Sequence, residues 1–258
     1  MAEVDLVYSG LTIRLPRQEP GCFYTTCLLG EYDRLRIRPG DIVLDAGANV
    51  GDFTVLAAKK AGKSGVVVAV EPNALSRGFL LYNVKCNGLT NVKVVDSFIS
   101  GSEGFVGIED FGTYSERSDR TGNRQERQQT IDDILESLSL PRLDILKMDI
   151  EGEEVNALRG QRFLATLREL CVEVHGGTSE HVVLEILKSE GFDLQPIGWR
   201  TKLGKLVRSG IPGAWTVLGT EIRTHGYASR FVTSAMMNRS SGAGRALTGN
   251  KVYYGTRT

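Results

Sequence analysis

A doubly wound α/β domain, with a mostly parallel sheet and helices on both faces, is the fold class this sequence predicts. Short apolar, β-branched runs recur along the chain, amphipathic helical patterns alternate with them, and the first core run breaks at a glycine-punctuated turn before a helix. Strands joined through helices must run parallel with right-handed crossovers. The lead-in, residues 1–40, contains Leu11-Thr12-Ile13-Arg14-Leu15, which alternates as a half-buried strand, and Pro39-Gly40, which turns into the core. Val43 to Ala46 reads as the first core strand, and Phe53, Leu56 and Ala57 mark one face of the helix after it. Val66 to Val70 is the second strand; Leu75, Phe79, Tyr82 and Cys86 predict the second helix, which Gly88 stops. Val92 to Val95 is the third strand. The polar stretch Gly112 to Thr130, carrying Arg117, Arg120, Arg124 and Arg127, reads as a long functional loop. Ile131, Ile134, Leu135 and Leu138 give a helix closed by Pro141, Leu143 to Asp149 a fourth strand, and a further helix starts near Glu153. Leu170 to Val174 is the fifth strand, and Val182, Val183, Ile186 and Leu187 line the next helix. Ala214 to Leu218 and Lys251 to Tyr254 read as strands, and Arg239 to Arg245 as a loop. The division expected is a lead-in (1–40), a catalytic core (41–198) and a basic C-terminal part (199–258) that completes the sheet and adds an acceptor-binding surface.

With 258 residues the chain is long enough to bury a full core, and its 41% hydrophobic, 24% charged composition is that of a soluble globular enzyme. No apolar run reaches membrane-spanning length, and Met1-Ala2-Glu3-Val4-Asp5 lacks the basic-then-apolar order of a secretory signal, so a cytoplasmic protein with no membrane partner is expected. Cys22, Cys27, Cys86 and Cys171 form no C-x-x-C pair, which argues against a zinc ribbon or a disulfide framework. The net charge is zero, yet from Trp199 onward ten cations (Arg200, Lys202, Lys205, Arg208, Arg223, Arg230, Arg239, Arg245, Lys251, Arg257) face one acid, Glu221. A solvated surface is the plain reading of such a run, and an anionic acceptor is the functional one.

The run Asp45-Ala46-Gly47-Ala48-Asn49-Val50-Gly51-Asp52 places backbone amides and a strand-end carboxylate under one ligand position. Glu71, ending the second strand, lies where ribose hydroxyls need an acceptor. A pyrophosphate-binding turn wants a second glycine where this chain has Asn49, and Asp45 and Asp52 at the turn's mouth would repel phosphate. S-adenosylmethionine has a ribose, a sulfonium and an ammonium but no phosphate, so it suits the pattern better than NAD. Gly47 and Gly51 alone would make only a tight turn; the strand, turn, helix, strand, acid order is what points to a cofactor.

Ligands of open α/β sheets sit beyond the carboxyl ends of the strands. There the fourth strand offers Lys147, Asp149 and Glu151 on one side of an extended segment, and the fifth offers Glu173 and His175. If these strands are neighbours, the groups converge. His175 is the natural base for a hydroxyl, since its unperturbed pKa lies near neutrality, while Lys147 orients the acceptor or holds a carboxylate ionised. No ligand spacing is diagnostic of a metal, so none is expected; Asp149, Glu151, Glu173 and His175 form the set that could bind one. His181 and His225 stand in no comparable cluster.

Five segments together resemble the FkbM-type S-adenosylmethionine-dependent methyltransferases: Asp45 to Thr54, Val70-Glu71-Pro72-Asn73 with Asn83 beyond it, Thr130 to Leu135, Lys147 to Glu154, and Val172 to His175. The resemblance covers about residues 30 to 176 and implies a Rossmann-like class I methyltransferase fold and O-methylation of sugar-like or natural-product hydroxyls. It also implies that Asp45, Gly47, Asn49 and Gly51 meet the methionine part, Glu71 the ribose, and Asp96 and Ser97 the adenine, with Pro72, Asn73 and Asp149 completing the cofactor set. The arginine-bearing loop and the basic C-terminal part depart from the family. With Trp199, Trp215, Tyr253 and Tyr254 they suggest RNA as an alternative acceptor, methylated at ribose 2′-hydroxyls. An NAD-dependent oxidoreductase or a catalytically silent nucleotide-binding module is the alternative from a different class.

Overall fold

The computed structural model describes residues 2–109, 117–118, 124–198 and 251–257. The lead-in is an antiparallel hairpin of β1 (Glu3–Tyr8) and β2 (Leu11–Pro16), turning through Ser9 and Gly10, both with positive φ. A helical stretch follows, α1 (Gly21–Phe23) continuing as a π-helical segment Tyr24–Leu28. Leu6, Ile13, Leu15, Phe23 and Cys27 bury themselves against Val55 and Phe79 of the core helices.

The core then alternates: β3 (Ile42–Ala46), α2 (Asp52–Ala61), β4 (Val66–Val70), α3 (Ala74–Cys86) and β5 (Val92–Val95). A small sheet follows, made of β6 (Phe98–Ile99), β7 (Gly104–Glu109), β8 (Arg117–Ser118) and β9 (Arg124–Gln129), in the order β6-β9-β7-β8. Next come α4 (Ile131–Ser137), whose N-terminus carries a reciprocal Thr130–Asp133 cap, β10 (Ile145–Met148) and α5 (Glu154–Leu158). A 3-10 turn Arg162–Ala165, β11 (Glu169–Val174), α6 (Gly177–Ser189), β12 (Phe192–Pro196) and β13 (Lys251–Arg257) complete the described residues.

Among those residues the main sheet has seven strands in the order β12-β13-β11-β10-β3-β4-β5. β11, β10, β3, β4 and β5 are parallel, whereas β13 runs antiparallel to both of its neighbours. Period-two alternation splits the side chains between two layers. Leu44, Val70, Leu146 and Val172 pack with Ile131, Leu158, Val183 and Leu187, while Val43, Val67, Ile145 and Cys171 pack with Phe53, Ala57 and Ala61 of α2. Both faces are therefore covered, as the doubly wound reading requires.

Two readings of local pattern are corrected. Of the apolar stripe that marks the second helix only Phe79 is buried: Leu75 is 51% and Tyr82 37% exposed, while Ser76, Leu80 and Asn83 turn inward with Phe79. Polar residues are inside because α3 closes the edge of β2. Asn83 binds the N–H and C=O of Arg14, and Asn87, one turn on, binds those of Thr12. The stretch read as a long loop holds β8 and β9 instead. Their composition, Arg-Gln-Glu-Arg-Gln-Gln in β9, hides the strand because it shows no apolar alternation. Arg120, Trp199, Trp215, His225 and the patterns at 214–218 and 239–245 lie outside the described residues.

Candidate active site

The turn after β3 passes through Gly47 (φ +74°) and Gly51 (φ +83°). A Cβ on Gly47 would stand 1.8 Å from the carbonyl oxygen of Asp149, and one on Gly51 would stand 2.4 Å from Leu80. The first glycine thus lets the turn touch the end of β10, and the second lets α2 seat against α3. Glu71 accepts from the backbone N–H of Asn49 (2.7 Å) and of Asn73 (2.8 Å). An amide that would meet a pyrophosphate in a dinucleotide fold is thereby already taken by a carboxylate. Burial raises Glu71 to about 7, against the pull of those two amides.

Asp45 and Lys147 are register partners on adjacent parallel strands, so their side chains lie together. Lys147 Nζ is 3.1 Å from Asp45 Oδ1 and donates to Gly47 O (2.5 Å), and Thr54 Oγ1 donates to Asp45 Oδ2 (2.5 Å). Burial pulls the Lys147 pKa down, but Asp45, Asp149 and Asp52 raise it well above its ordinary value, so the ammonium stays charged. Asp52 is also buried, with Thr26 bonded to it, and burial raises its pKa. The expectation that Asp45 and Asp52 stand at the mouth of the turn is therefore corrected: both lie beneath it, one of them neutralised by Lys147. The acid at the rim is Asp149, partly exposed beside Gly47.

β10 and β11 are neighbours, so their ends meet. His175 Nε2 lies 3.6 Å from Asp149 Oδ1, 3.6 Å from Glu151 Oε2 and 4.0 Å from Glu173 Oε1. Extended alternation does not bring Glu151 there; β10 ends at Met148, and Glu151 reaches the cluster from a left-handed turn position, φ +55°. Behind the ring, His175 Nδ1 contacts Glu154 Oε1 at 2.8 Å, and that carboxylate also accepts from Gly152 N (3.0 Å). Burial lowers the His175 pKa, but the Glu154 bond and the charges of Asp149 and Glu151 outweigh it and hold the ring at about 9. The histidine read as a general base is therefore an imidazolium at neutral pH. In this state it donates, and the accepting groups are the carboxylates around it.

Asp149, Glu151 and His175 have ligand atoms all within 4.8 Å of one another, a grouping that a divalent cation could draw together. Glu173 lies further out. Of the other expected cofactor residues, Asn73 uses its side-chain oxygen to cap α3 at Leu75 and Ser76. Pro72 offers its carbonyl to Arg77 (2.7 Å), and Asp96 pairs with the same arginine (2.7 Å). Ser97 is buried and donates to Phe98 O and Arg127 O. Asn49 keeps a buried Oδ1 with no partner among the described residues, a group suited to a ligand's donor. His181 pairs with Glu185 on its own helix.

Sequence reading missed Glu154, Thr54, Arg77 and Tyr32. Glu154 sits beside Glu153 at the start of α5, and only the buried face of that helix separates the two. Tyr32, from the lead-in, is buried with its ring centroid 5.7 Å from Lys147 Nζ. It carries no sequence signal because nothing periodic surrounds it.

This sheet order, the glycine turn after its central strand and the acid ending the next strand define a class I S-adenosylmethionine-dependent methyltransferase. Within that class, the chain belongs to the FkbM methyltransferase family, whose domain, described as "Methyltransferase FkbM domain", matches residues 45–194. The hexuronic acid methyltransferase AglP of Haloferax volcanii is 26% identical over 171 residues, covering 62% of this chain and 69% of that protein. The AMB antimetabolite synthetase AmbE of Pseudomonas aeruginosa is 26% identical over 244 residues, 74% of this chain but only 11% of that much longer protein. A crystal structure of a methyltransferase FkbM from Methylobacillus flagellatus aligns with a TM-score of 0.51 at 19% identity, over 67% of this chain and 44% of that one, and shares the fold. Among the described residues no helix is long and apolar enough to cross a membrane.

Proposed function

We propose that this methyltransferase acts on a hydroxyl of a sugar acceptor, with hexuronic acids as the first class to test. The observation that carries the reading is the group of Asp149, Glu151, Glu173 and His175 at the joined ends of β10 and β11, beside the turn that takes the cofactor. When bound, S-adenosylmethionine would supply a sulfonium methyl whose carbon a hydroxyl oxygen attacks, the C–S bond breaking to release S-adenosylhomocysteine. Glu71 accepts from the ribose through the lone pairs its two amide bonds leave free, and the Asn49 side-chain oxygen receives a donor of the methionine part. Asp149, whose basicity burial raises against the pull of Lys147 and His175, accepts the acceptor's hydroxyl proton as the new O–C bond forms. Lys147 holds Asp45 and the Gly47 carbonyl and so fixes the floor of the site. The hexuronic acid activity named for AglP supports a sugar acceptor.

The test is methyl transfer from radiolabelled donor to glucuronic and galacturonic acids, neutral sugars and mixed RNA. Sugar labelling that His175→Ala lowers at least tenfold, with cofactor affinity unchanged, is the expected result. Labelling of RNA alone, with binding that weakens steeply over a salt series, would overturn the reading in favour of a ribose methyltransferase.

A further inference from the structure

A cleft of about 650 Å³ opens between the small sheet and α5, away from the cofactor turn. Its lining includes Ser100, Phe105, Gln125, Gln128, Asn156 and Arg159. Phe105 is 72% exposed, an unusual state for a phenyl ring on a strand. The remaining lining is mainly amides and hydroxyls, with one cation, Arg159, and one anion, Glu153. Glu153 is already engaged, accepting from Ser100 Oγ (3.0 Å) and Asn156 Nδ2 (2.9 Å). Arg159, at the C-terminal end of α5, forms no ion pair among the described residues. The start of α5 serves both places: Glu153 lines the cleft, and the next residue, Glu154, holds His175 Nδ1.

An aromatic face, planar amides and a single cation are the groups that bind a pyranose carrying one carboxylate. The ring's C–H face covers the phenyl, the amides pair with vicinal hydroxyls, and the guanidinium meets the carboxylate in a fork. A nucleic-acid backbone would need several cations here, and the lining supplies one. We propose that this cleft is an acceptor subsite holding a neighbouring uronic acid unit of an oligosaccharide whose methylated unit lies at the His175 cluster. The inference rests on the sugar-acceptor reading and extends it from single sugars to chains.

The experiment compares galacturonic and glucuronic acids with their tri- and tetrasaccharides as acceptors, measuring KM and kcat for the wild type, Phe105→Ala and Arg159→Gln. Expected is a KM at least tenfold lower for the oligosaccharides, and an advantage that falls about tenfold in Phe105→Ala while kcat and monosaccharide KM stay unchanged. In Arg159→Gln the preference for uronic over neutral oligosaccharides is lost. Phe105 is largely solvent-facing, so its truncation leaves the fold intact, which an unchanged thermal midpoint verifies. Monosaccharide methylation with no gain from chain length, or oligosaccharide KM values indifferent to both substitutions, overturns the subsite alone. Absence of labelling on every sugar overturns the sugar-acceptor reading and this inference with it.

Discussion

Charge state decides what each side chain at the site can do. His175 is held at about 9, above its ordinary 6.5, so the folded state binds a proton that the unfolded chain releases between those values. The stability this contributes is complete below pH 6.5 and is lost as pH rises through about 9. The thermal midpoint of the wild type is expected to fall over that window, and His175→Gln to flatten the dependence; a parallel decline in both would remove the charge assignment. Glu71 behaves in the opposite sense toward ligand. It is raised to about 7, and in the proposed ribose-binding role its carboxylate form is the acceptor, so cofactor affinity is expected to weaken as pH drops below 7. The loss is at most about tenfold per pH unit, and calorimetric titration of Glu71→Gln should show weak binding without that slope. Lys147 is a matter of stability. Replacing it with Met leaves the buried Asp45 carboxylate without its cation, and denaturant unfolding should register a loss of about 3–5 kcal/mol.

At the level of elements, two glycines test what the turn and the helices require. Gly47→Ala combines a left-handed backbone with a Cβ directed at the Asp149 carbonyl, so the turn must move away from β10. Loss of cofactor binding, with destabilisation well above the roughly 1 kcal/mol that a left-handed backbone costs by itself, is expected. Gly78 is the converse: it sits exposed inside α3, and nothing lies within 4 Å of the Cβ it lacks. Gly78→Ala should stabilise by about 0.5–1 kcal/mol through helix propensity, with catalysis unchanged. Element existence was legible wherever apolar periodicity was strong, in β3, β4, β10, β11 and α4. It was not legible in β9, whose polar residues pair through backbone alone, nor in the facing of α3, where Asn83 and Asn87 serve the edge of β2.

On the scale of the whole molecule, β13 ties the C-terminal residues into the sheet one strand in from its β12 edge. It lies between β11 and β12 and pairs with both, while the Tyr254 hydroxyl bonds Glu169 and the Tyr253 hydroxyl bonds Glu180 on α6. Removing residues 251–258 would strip β11 and β12 of their shared partner. Loss of a single cooperative unfolding transition is expected, whereas a transition like that of the full chain would show β13 to be dispensable. By itself the sequence determined the alternating architecture, the glycine turn from Asp45 to Asp52 and the residues at the ends of β10 and β11, because these follow from periodicity and strand-end position within short stretches of chain. Only the tertiary structure decided that Asp45 and Asp52 lie beneath the turn, that carboxylates surround His175 and raise its pKa, and that a polar cleft flanks α5. Burial and local field depend on groups such as Glu154, Thr54 and Lys147, brought there from separate elements, and no local pattern encodes their meeting.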